Sequence, residues 1–265
     1  MSYLDRNRDA WNRLATSGSP FARVATDEDC RDPLATLDGR GWLPKNIDGR
    51  DVLCLAAGGG WQSILYASAG ANVTVVDISR EMLKLDEREA ARRSLSICTI
   101  ESPMNDLSEL REESFDIVHQ PVSSNYVEDV TAVYREVARV IRDSGVYISQ
   151  HKQPTSLQIS HLDERNRYVI GLEYYRSGPL PKVSDTSYRE EGTVEYLHRW
   201  DGLVGSLCRE GFSLEDLVEP YRADRRAPAG HFRHRGRFVA PYVRLKARRV
   251  PRSQLDTPVA GIWTP

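Results

Sequence analysis

Short apolar runs rich in β-branched residues alternate with helix-like segments over residues 51–150. Five of these runs have the length and composition of strands, at 52–56, 73–77, 96–100, 115–119 and 146–149. A helix is predicted at 61–68. Over 130–141, apolar residues recur at intervals of three and four, which predicts a longer helix that covers one face of a sheet. Strands that alternate with helices in this way indicate βαβ units on a parallel sheet.

The chain after residue 192 is predicted to add one helix and two strands. Apolar residues share one face of a helix at 193–209, and Gly211 follows as a stop signal. Apolar and polar residues alternate at 212–218 and at 242–247, as they do in half-exposed strands. A long loop at 221–236 joins the two. The sequence therefore predicts seven strands.

We expect one domain over residues 1–265, because no repeat, low-complexity linker or change in composition divides the chain. Residues 51–150 would form the ligand-binding half, and 193–265 would supply the last helix and two strands. Residues 151–192 contain a predicted polar helix followed by GPLP, and we interpret them as an insertion. Open α/β sheets bind ligands at the carboxyl edge of their strands, so this insertion is expected to form a wall of a substrate pocket.

Composition narrows the class of protein. The four cysteines show no C-x-x-C pairing and no nearby histidine, so we expect neither a disulfide framework nor a metal site. The N-terminus is charged from its fourth residue, and no segment approaches the roughly 20 apolar residues of a membrane span. We therefore expect a cytoplasmic protein that does not bind membranes.

Charge is distributed unevenly. The net charge of −2 gives no overall reason to expect a nucleic acid partner. Residues 222–249, however, hold a dense set of arginines and lysines against the single acidic residue Asp224. Charged runs usually face water, so a solvated surface is the favoured interpretation, and a site for an anionic partner is the alternative.

Three consecutive glycines, Gly58, Gly59 and Gly60, follow the first predicted strand and open a helix. Residues without a Cβ let the backbone turn sharply and approach a ligand. Asp77 closes the next strand, where a carboxylate can accept the hydroxyl protons of a ribose. A dinucleotide site would prefer a third glycine or alanine where Ser63 stands. A sulfonium cofactor without phosphates also fits this layout.

Five segments in order resemble the motifs of the class I S-adenosylmethionine-dependent methyltransferases, particularly the small-molecule group that includes the ubiquinone and menaquinone biosynthesis enzymes. They are VLCLAAGGGW, VTVVDISREML, NDL, SFDIVHQPVSSNYVEDV and YREVARVIRDSGVYIS, within residues 52–149. The resemblance implies an α/β fold with a doubly wound, Rossmann-like seven-stranded sheet, mostly parallel with an antiparallel last strand, and helices on both faces. It also implies an N-terminal helical lid within residues 1–45.

The same resemblance implies S-adenosylmethionine as the cofactor and a small-molecule acceptor for its methyl group. The implied cofactor-binding residues are Ala56, Ala57, Gly58, Gly59, Gly60, Asp77, Ile78, Asn105, Asp106, Leu107 and Gln120. Asp77 would bind the ribose, Ile78 would lie beside the adenine, and Asp106 would meet the adenine amino group.

Two residues depart from the family pattern. Cys54 stands where an acidic residue usually supports the methionyl amino group, so we expect backbone carbonyls and a residue of the N-terminal segment to replace it. Ala56 replaces the first glycine of the loop. This replacement would cost little if Ala56 has the negative φ of a strand residue.

Methyl transfer is an in-line displacement that needs no nucleophile on the protein, because proximity and orientation supply much of the rate. A general base would help if the acceptor is a hydroxyl group or an acidic carbon. His119, Tyr126 and His151 are the candidates near the carboxyl edge, and structural roles without chemistry are the alternative for each. His231 and His234 in the basic loop would suit an anionic acceptor.

Other functions remain open at this level. An NAD(P)-dependent oxidoreductase would use the same glycines, although the later motifs have no part in its scheme. A non-catalytic module that binds S-adenosylmethionine is a second alternative, suggested by Cys54. An RNA methyltransferase that uses the basic segment is a weaker third, since no RNA-binding module accompanies it.

Overall fold

The computed structural model describes residues 2–255. Its helices are α1 (Tyr3–Thr16), α2 (Pro33–Leu37), α3 (Gln62–Ser68), α4 (Arg80–Arg92), α5 (Val130–Val140), α6 (Pro154–Leu157), α7 (Ser206–Arg209), α8 (Phe232–Arg235) and α9 (Arg252–Leu255). Its strands are β1 (Asp51–Leu55), β2 (Asn72–Asp77), β3 (Ile97–Glu101), β4 (Phe115–Gln120), β5 (Ile141–Lys152), β6 (Ile159–Leu162), β7 (Tyr168–Ile170), β8 (Phe212–Val218) and β9 (Tyr242–Arg249).

The main sheet has seven strands in the order β3-β2-β1-β4-β5-β9-β8. Strands β1 to β5 pair in parallel, and β9 runs antiparallel to both of its neighbours. The strand order reverses between β1 and β4, and such a reversal places the ligand site of an open α/β sheet at the carboxyl ends of these strands. The predicted fold class is confirmed, including the antiparallel last strand.

Helices cover both faces of the sheet because successive strand residues point to opposite sides. On one face, the apolar stripe of α5 buries Val133, Tyr134 and Val137 against the sheet. On the other face, α3 contributes Tyr66 to a core that contains Cys54 and Ile117. No helix among residues 2–255 combines the length and apolar character that crossing a bilayer requires.

The predicted helix at 193–209 is wrong over its first half. Helical structure begins only at Trp200, with a π turn at Asp201–Gly205 followed by α7. Residues 193–199 have no regular secondary structure, and distant groups accept their backbone N–H groups. The Val194 N–H donates to the Asn7 side chain (2.6 Å), and the Tyr196 N–H donates to the Asn125 carbonyl (2.7 Å). Tertiary hydrogen bonds thus override the apolar periodicity of this segment.

The insertion contains a hairpin where a polar helix was predicted. After the single turn of α6, strands β6 and β7 pair antiparallel. The turn between them is organised by Asp163, whose Oδ1 accepts the N–H groups of Arg165 (2.9 Å) and Arg167 (2.8 Å). Aspartate that bonds the backbone in this way competes with helix formation.

Ala56 also differs from its prediction. Its φ is +50°, in the left-handed region, whereas we expected the negative φ of a strand residue. A residue with a Cβ pays roughly 1 to 2 kcal/mol in this conformation. The alanine that replaces the family's glycine is therefore strained, at the point where the chain leaves β1 for the glycine loop.

Candidate active site

A cavity of about 410 Å³ lies at the carboxyl edge of the sheet, beside the reversal in strand order. One of its walls consists of residues that follow β1 and β2. On another side it is lined by Gln150, Glu190, Arg222 and Tyr242, which come from the second half of the chain. The cavity therefore joins the glycine loop to residues of the insertion and of the basic segment.

Carboxylates of the chain itself hold the glycine loop. The Gly58 N–H donates to Oδ2 of Asp77 (2.9 Å), while the N–H groups of Gly59 and Gly60 donate to the two oxygens of Asp86 (2.8 and 3.0 Å). Asp86 lies on α4 and is fully buried. A pyrophosphate at this loop would meet two carboxylates in place of free N–H groups, so the geometry disfavours a dinucleotide.

The N-terminal helix α1 covers the cavity. Its residues Leu4, Asn7 and Trp11 line the space. The Asn7 side chain fixes the helix there, since its amide nitrogen donates to the carbonyls of Tyr126 (3.0 Å) and Val194 (3.1 Å). Trp11 meets the ring of Tyr126 edge-on, with 5.4 Å between the ring centroids.

Comparison with known proteins identifies the family. The family model described as "Methyltransferase domain" matches residues 53–149. An uncharacterized methyltransferase of Bacillus subtilis (strain 168), YbaJ, is 44% identical over 182 residues, which cover 67% of this chain and 71% of the relative. The chain belongs to the class I S-adenosylmethionine-dependent methyltransferases. Membership makes it an enzyme and sets aside the oxidoreductase alternative.

Solved structures agree with this fold. A methyltransferase from Mesorhizobium loti has a TM-score of 0.66 at 22% identity and covers 83% of the enzyme and 100% of its own chain. One from Listeria monocytogenes has a TM-score of 0.65 at 19% identity, with coverages of 83% and 98%. A ubiquinone biosynthesis O-methyltransferase from Xanthomonas oryzae pv. oryzae (strain PXO99A) is a curated relative, 28% identical over 183 residues that cover 67% of this chain and 70% of the relative.

The cavity fits the family's cofactor, which supplies an electrophilic methyl group on a cationic sulfur when it is bound. Each oxygen of Asp77 accepts one backbone N–H, from Gly58 (2.9 Å) and from Ser79 (2.8 Å), and retains a lone pair for a ribose hydroxyl. Gly58 permits this approach, because a Cβ there would lie 3.0 Å from the Asp77 carboxyl carbon. Ile78 and Met104 add apolar surface.

The predicted cofactor residues divide into two groups. Those that line the cavity are Ala56, Ala57, Gly58, Gly59, Asp77 and Ile78. Gly60, Asn105, Asp106, Leu107 and Gln120 do not line it. Pro103 and Met104, the two residues that precede Asn105, line the cavity where residues of the third motif were expected.

The residues outside the cavity are held elsewhere for identifiable reasons. Asp106 is exposed, and its Oδ1 accepts the Ser108 N–H (3.1 Å). Leu107 is a core residue, whereas Gln120 is buried and donates to the Ser123 hydroxyl (2.8 Å). Gly60 acts from behind the loop through its bond to Asp86. The fourth motif lines the cavity through residues that follow Gln120, namely Pro121, Val122, Ser123, Tyr126 and Val127.

Neither candidate histidine faces the cavity. The His119 side chain lies against α3, where its Nδ1 forms a hydrogen bond with the Tyr66 hydroxyl (2.8 Å). Both ring nitrogens of His151 are used, Nδ1 by the Ser124 hydroxyl (2.7 Å) and Nε2 by the Ser149 hydroxyl (2.8 Å). Burial lowers the pKa of each histidine to about 3. This geometry favours the structural interpretation of both residues.

Tyr126, the third candidate, does line the cavity, and it leads to an ionic group that sequence reasoning missed. Its hydroxyl donates to Oε2 of Glu190 (2.6 Å), a second cavity residue. Lys152 donates to the same oxygen and to Oε1 of Glu195 (3.2 Å), and Arg189 pairs with Glu195 (2.7 Å). We call Lys152, Arg189, Glu190 and Glu195 the Lys152 cluster. Burial raises the pKa of the Tyr126 hydroxyl well above its ordinary value, and the charges of Glu190 and Glu195 add to this effect.

Asp86 is the second residue that the sequence analysis missed. Burial raises the pKa of its carboxyl to about 7, the negative charge of Asp77 adds to the rise, and hydrogen bonds from Ser63 and Gly59 oppose it. A signal was present: Asp86 shares the buried face of α4 with Met82 and Ala90, where an apolar residue would be expected. A charged residue on a buried stripe indicates a specific partner.

The role of Asp86 bears on Cys54. Cys54 is fully buried in the core below the loop and does not line the cavity. Burial raises the pKa of its thiol, with a smaller contribution from the charge of Asp86. A carboxylate at position 54 would add a second buried negative charge near Asp86, which is unfavourable. The acidic residue that holds the loop comes from α4 in this enzyme, and β1 carries a neutral residue.

Replacing Asp77 by alanine is expected to weaken cofactor binding. Because the change removes a hydrogen-bonded charge from the cavity, we expect a loss of about 1 to 3 kcal/mol in binding free energy. Calorimetric titration with S-adenosylhomocysteine measures it. Asp106→Ala is the matched control, since Asp106 is exposed outside the cavity and its replacement should leave the affinity unchanged. Equal losses in the two variants would contradict the cavity assignment.

Proposed function

We propose that the enzyme transfers the methyl group of S-adenosylmethionine to a small-molecule acceptor that carries an anionic group. The observation that supports this most directly is the continuity of the cavity from Asp77 to Gln150 and Arg222. Cofactor and acceptor can then meet within one continuous cavity. Its volume is within the usual range for small-molecule sites, roughly 300 to 1,000 Å³.

At the cofactor end, we assign the ribose to Asp77 and the adenine to the surface of Ile78 and Met104. Arg23 is a cationic cavity residue from the N-terminal segment. Its side chain pairs with Asp29 (3.1 Å) but is 63% exposed, so it is free to turn toward the methionyl carboxylate. Helix α1 would shield the bound cofactor from solvent.

At the acceptor end, positive charge is poorly compensated. Arg244, half-buried on β9, donates through Nε to Oε1 of the neutral Gln150 (2.6 Å). Burial lowers the pKa of Arg244, and the charges of Arg222 and Arg40 lower it further. None of these three arginines forms an ion pair with the acidic residues within 2–255. A carboxylate or phosphate on the acceptor would relieve this repulsion.

The curated relatives support a small acceptor. Several are ubiquinone biosynthesis O-methyltransferases at 26 to 28% identity. The likeness extends over about two thirds of this chain.

A paired acceptor screen tests this function. Each aromatic or enolic carboxylic acid is assayed beside its methyl ester for production of S-adenosylhomocysteine. We expect the acids to react and Arg222→Gln to raise their KM at least about tenfold, the loss for one charge-assisted hydrogen bond. Arg225→Gln is the control, because Arg225 is an exposed arginine of the same segment outside the cavity. Preferential turnover of the esters would contradict an anionic acceptor.

A further inference from the structure

Glu190 offers a carboxylate oxygen to the cavity. Its side chain is only 7% exposed, and it lines the cavity together with Tyr126. Oε2 accepts from the Tyr126 hydroxyl (2.6 Å) and from Lys152. Oε1 takes part in none of the side-chain hydrogen bonds among residues 2–255. It is also not one of the polar atoms that are buried from solvent without a hydrogen-bond partner. One oxygen of this carboxylate is therefore anchored, and the other is available to a molecule in the cavity.

Glu195 shows what a purely structural carboxylate looks like in the same cluster. Its side chain is fully buried and does not line the cavity. Oε1 accepts from Lys152 (3.2 Å), and Oε2 lies 2.7 Å from Arg189. Both of its oxygens thus face cations. Glu190 also bonds Lys152, but one of its oxygens has no cation beside it. The stability of the cluster alone therefore does not account for the position of Glu190.

We propose that Glu190 is the general base of the reaction and that the acceptor presents to it a weakly acidic hydroxyl group, phenolic or enolic. This inference rests on the proposed methyltransferase function and specifies its acceptor chemistry. The candidate histidines do not line the cavity and hydrogen-bond elsewhere, whereas Glu190 lines it and its Oε1 is unoccupied by the side-chain hydrogen bonds among residues 2–255. The Lys152 and Tyr126 bonds to Oε2 fix the orientation of the carboxylate, as a base within hydrogen-bond reach of its proton requires.

The proton and electron balance of this step is complete with the groups named. The acceptor oxygen gives its proton to Oε1 of Glu190 and uses its electron pair to bond the methyl carbon. The carbon–sulfur bond breaks and its electrons remain on sulfur. The products are a methyl ether, a neutral thioether and a protonated Glu190, which then loses its proton to solvent.

Acidity limits the acceptor class. A carboxylate is a weak base, and general-base efficiency depends on how closely the acidities of donor and base match. An aliphatic alcohol is too weak an acid for it, while phenols, with a pKa of about 10 as in tyrosine, lie much closer. With the anionic group directed to Arg222 and the hydroxyl to Glu190, the acceptor carries both groups on one small molecule. A hydroxybenzoate has this arrangement.

A binding experiment tests the inference without turnover. The probe is 4-hydroxy-3-nitrobenzoate, whose absorption distinguishes phenol from phenolate. When the probe binds next to the charged Glu190, its phenol should keep its proton to higher pH, and Glu190→Gln should lower the pKa of the bound phenol by at least about one unit. Glu195→Gln removes the same charge from the same lysine outside the cavity and should leave the bound phenol close to its wild-type behaviour. Absence of probe binding, or equal pKa values in wild type and Glu190→Gln, would overturn the proposal.

Kinetics separate a base from a supporting residue. Glu190→Gln should lower kcat by about 10²-fold or more, the usual contribution of a general base. The loss should shrink for acceptors with more acidic hydroxyls, and affinity for S-adenosylhomocysteine should not change. Glu190→Asp should recover part of the rate. An equal loss of kcat for all acceptors would mean that Glu190 only supports the structure. If no acid were methylated, the proposed function itself would be refuted, and the binding experiment would still test Glu190 independently.

Discussion

Replacing Asp86 by alanine is expected to destabilise the enzyme and to weaken cofactor binding together. The change removes the acceptor of the Gly59 and Gly60 N–H groups and of the Ser63 hydroxyl. A buried N–H without an acceptor costs about 1 to 3 kcal/mol, so two of them predict a loss of roughly 2 to 6 kcal/mol in the free energy of unfolding. The released loop would no longer present Asp77 and Gly58 in a fixed arrangement, and affinity for S-adenosylhomocysteine should fall at least about tenfold.

The pH dependence of this loss identifies its cause. The pKa of Asp86 is about 7 in the folded enzyme, against about 4 for an aspartate in an unfolded chain. The folded state therefore binds the proton more tightly than the unfolded chain. The resulting contribution of Asp86 to the free energy of unfolding is fully present below pH 4 and is lost as the pH rises through 7. Between pH 5 and pH 8 the wild type should lose about 3 kcal/mol through Asp86, so the deficit of Asp86→Ala should be larger at pH 5.

Chemical denaturation at the two pH values, with calorimetry for the ligand, measures both effects. Asp116→Ala is a suitable comparison: Asp116 also accepts a backbone N–H, from Asp51 (3.0 Å), but it is partly exposed and lies on β4 outside the cavity. It should lower stability and leave cofactor affinity unchanged. If Asp86→Ala retained wild-type affinity, the loop would not depend on its carboxylate.

Much of the sheet could be predicted because the sequence pattern that specifies each strand or helix lies within that element. Buried parallel strands require continuous apolar runs, and α5 requires its stripe of valines, so both patterns appear directly along the chain. Gly58 and Asp77 could be recognised for a similar reason. Gly58 lies in the loop that follows β1 and Asp77 ends β2, and the fold brings the carboxyl ends of these neighbouring parallel strands together.

The acceptor side could not be predicted in this way because its contacts join segments far apart in sequence. Glu190 meets Tyr126 and Lys152 only because the insertion folds back over β5, and no periodicity encodes that path. The predicted helix at 193–209 failed over its first half for the same reason, since Asn7 and Asn125 take up backbone groups that a helix would use. His119 lies near the end of β4 as predicted, whereas His151 lies inside β5, which runs three residues beyond its predicted end at 149. Which face each side chain occupies depended on neighbouring strands.

Charge placement unites the two halves of the cavity. On the cofactor side, Asp77 lines the cavity and Asp86 lies behind the glycine loop, and burial raises the pKa of both carboxyls. On the other side, Arg222 lines the cavity and Arg244 lies next to the lining residue Gln150, to which it donates a hydrogen bond (2.6 Å). This distribution of charge agrees with the proposal of a cationic cofactor beside Asp77 and an anionic acceptor beside Arg222.

Replacing Lys152 by methionine is expected to cause a large loss of stability. Lys152 is the only cation that bonds Glu190 among residues 2–255, and its side chain is 1% exposed. Removing one partner of a buried ion pair leaves an uncompensated charge and typically costs about 3 to 5 kcal/mol. Lys246→Met on the neighbouring strand is the control, because Lys246 pairs with the partly exposed Glu215 (3.0 Å) and such pairs contribute only about 0 to 1 kcal/mol.

The loss in Lys152→Met should also depend on pH in a defined direction. Burial raises the pKa of Glu195, and the positive charges of Lys152 and Arg189 reduce this rise. Without the lysine the folded state would bind a proton more tightly than the unfolded chain, so stability should recover as the pH falls from 8 to 5. Adding Glu195→Gln to Lys152→Met should restore part of the stability at pH 8, since it removes one of the two stranded charges. Denaturation curves that are independent of pH would show that the methionine disturbs packing and that the charges of Glu190 and Glu195 are not the cause.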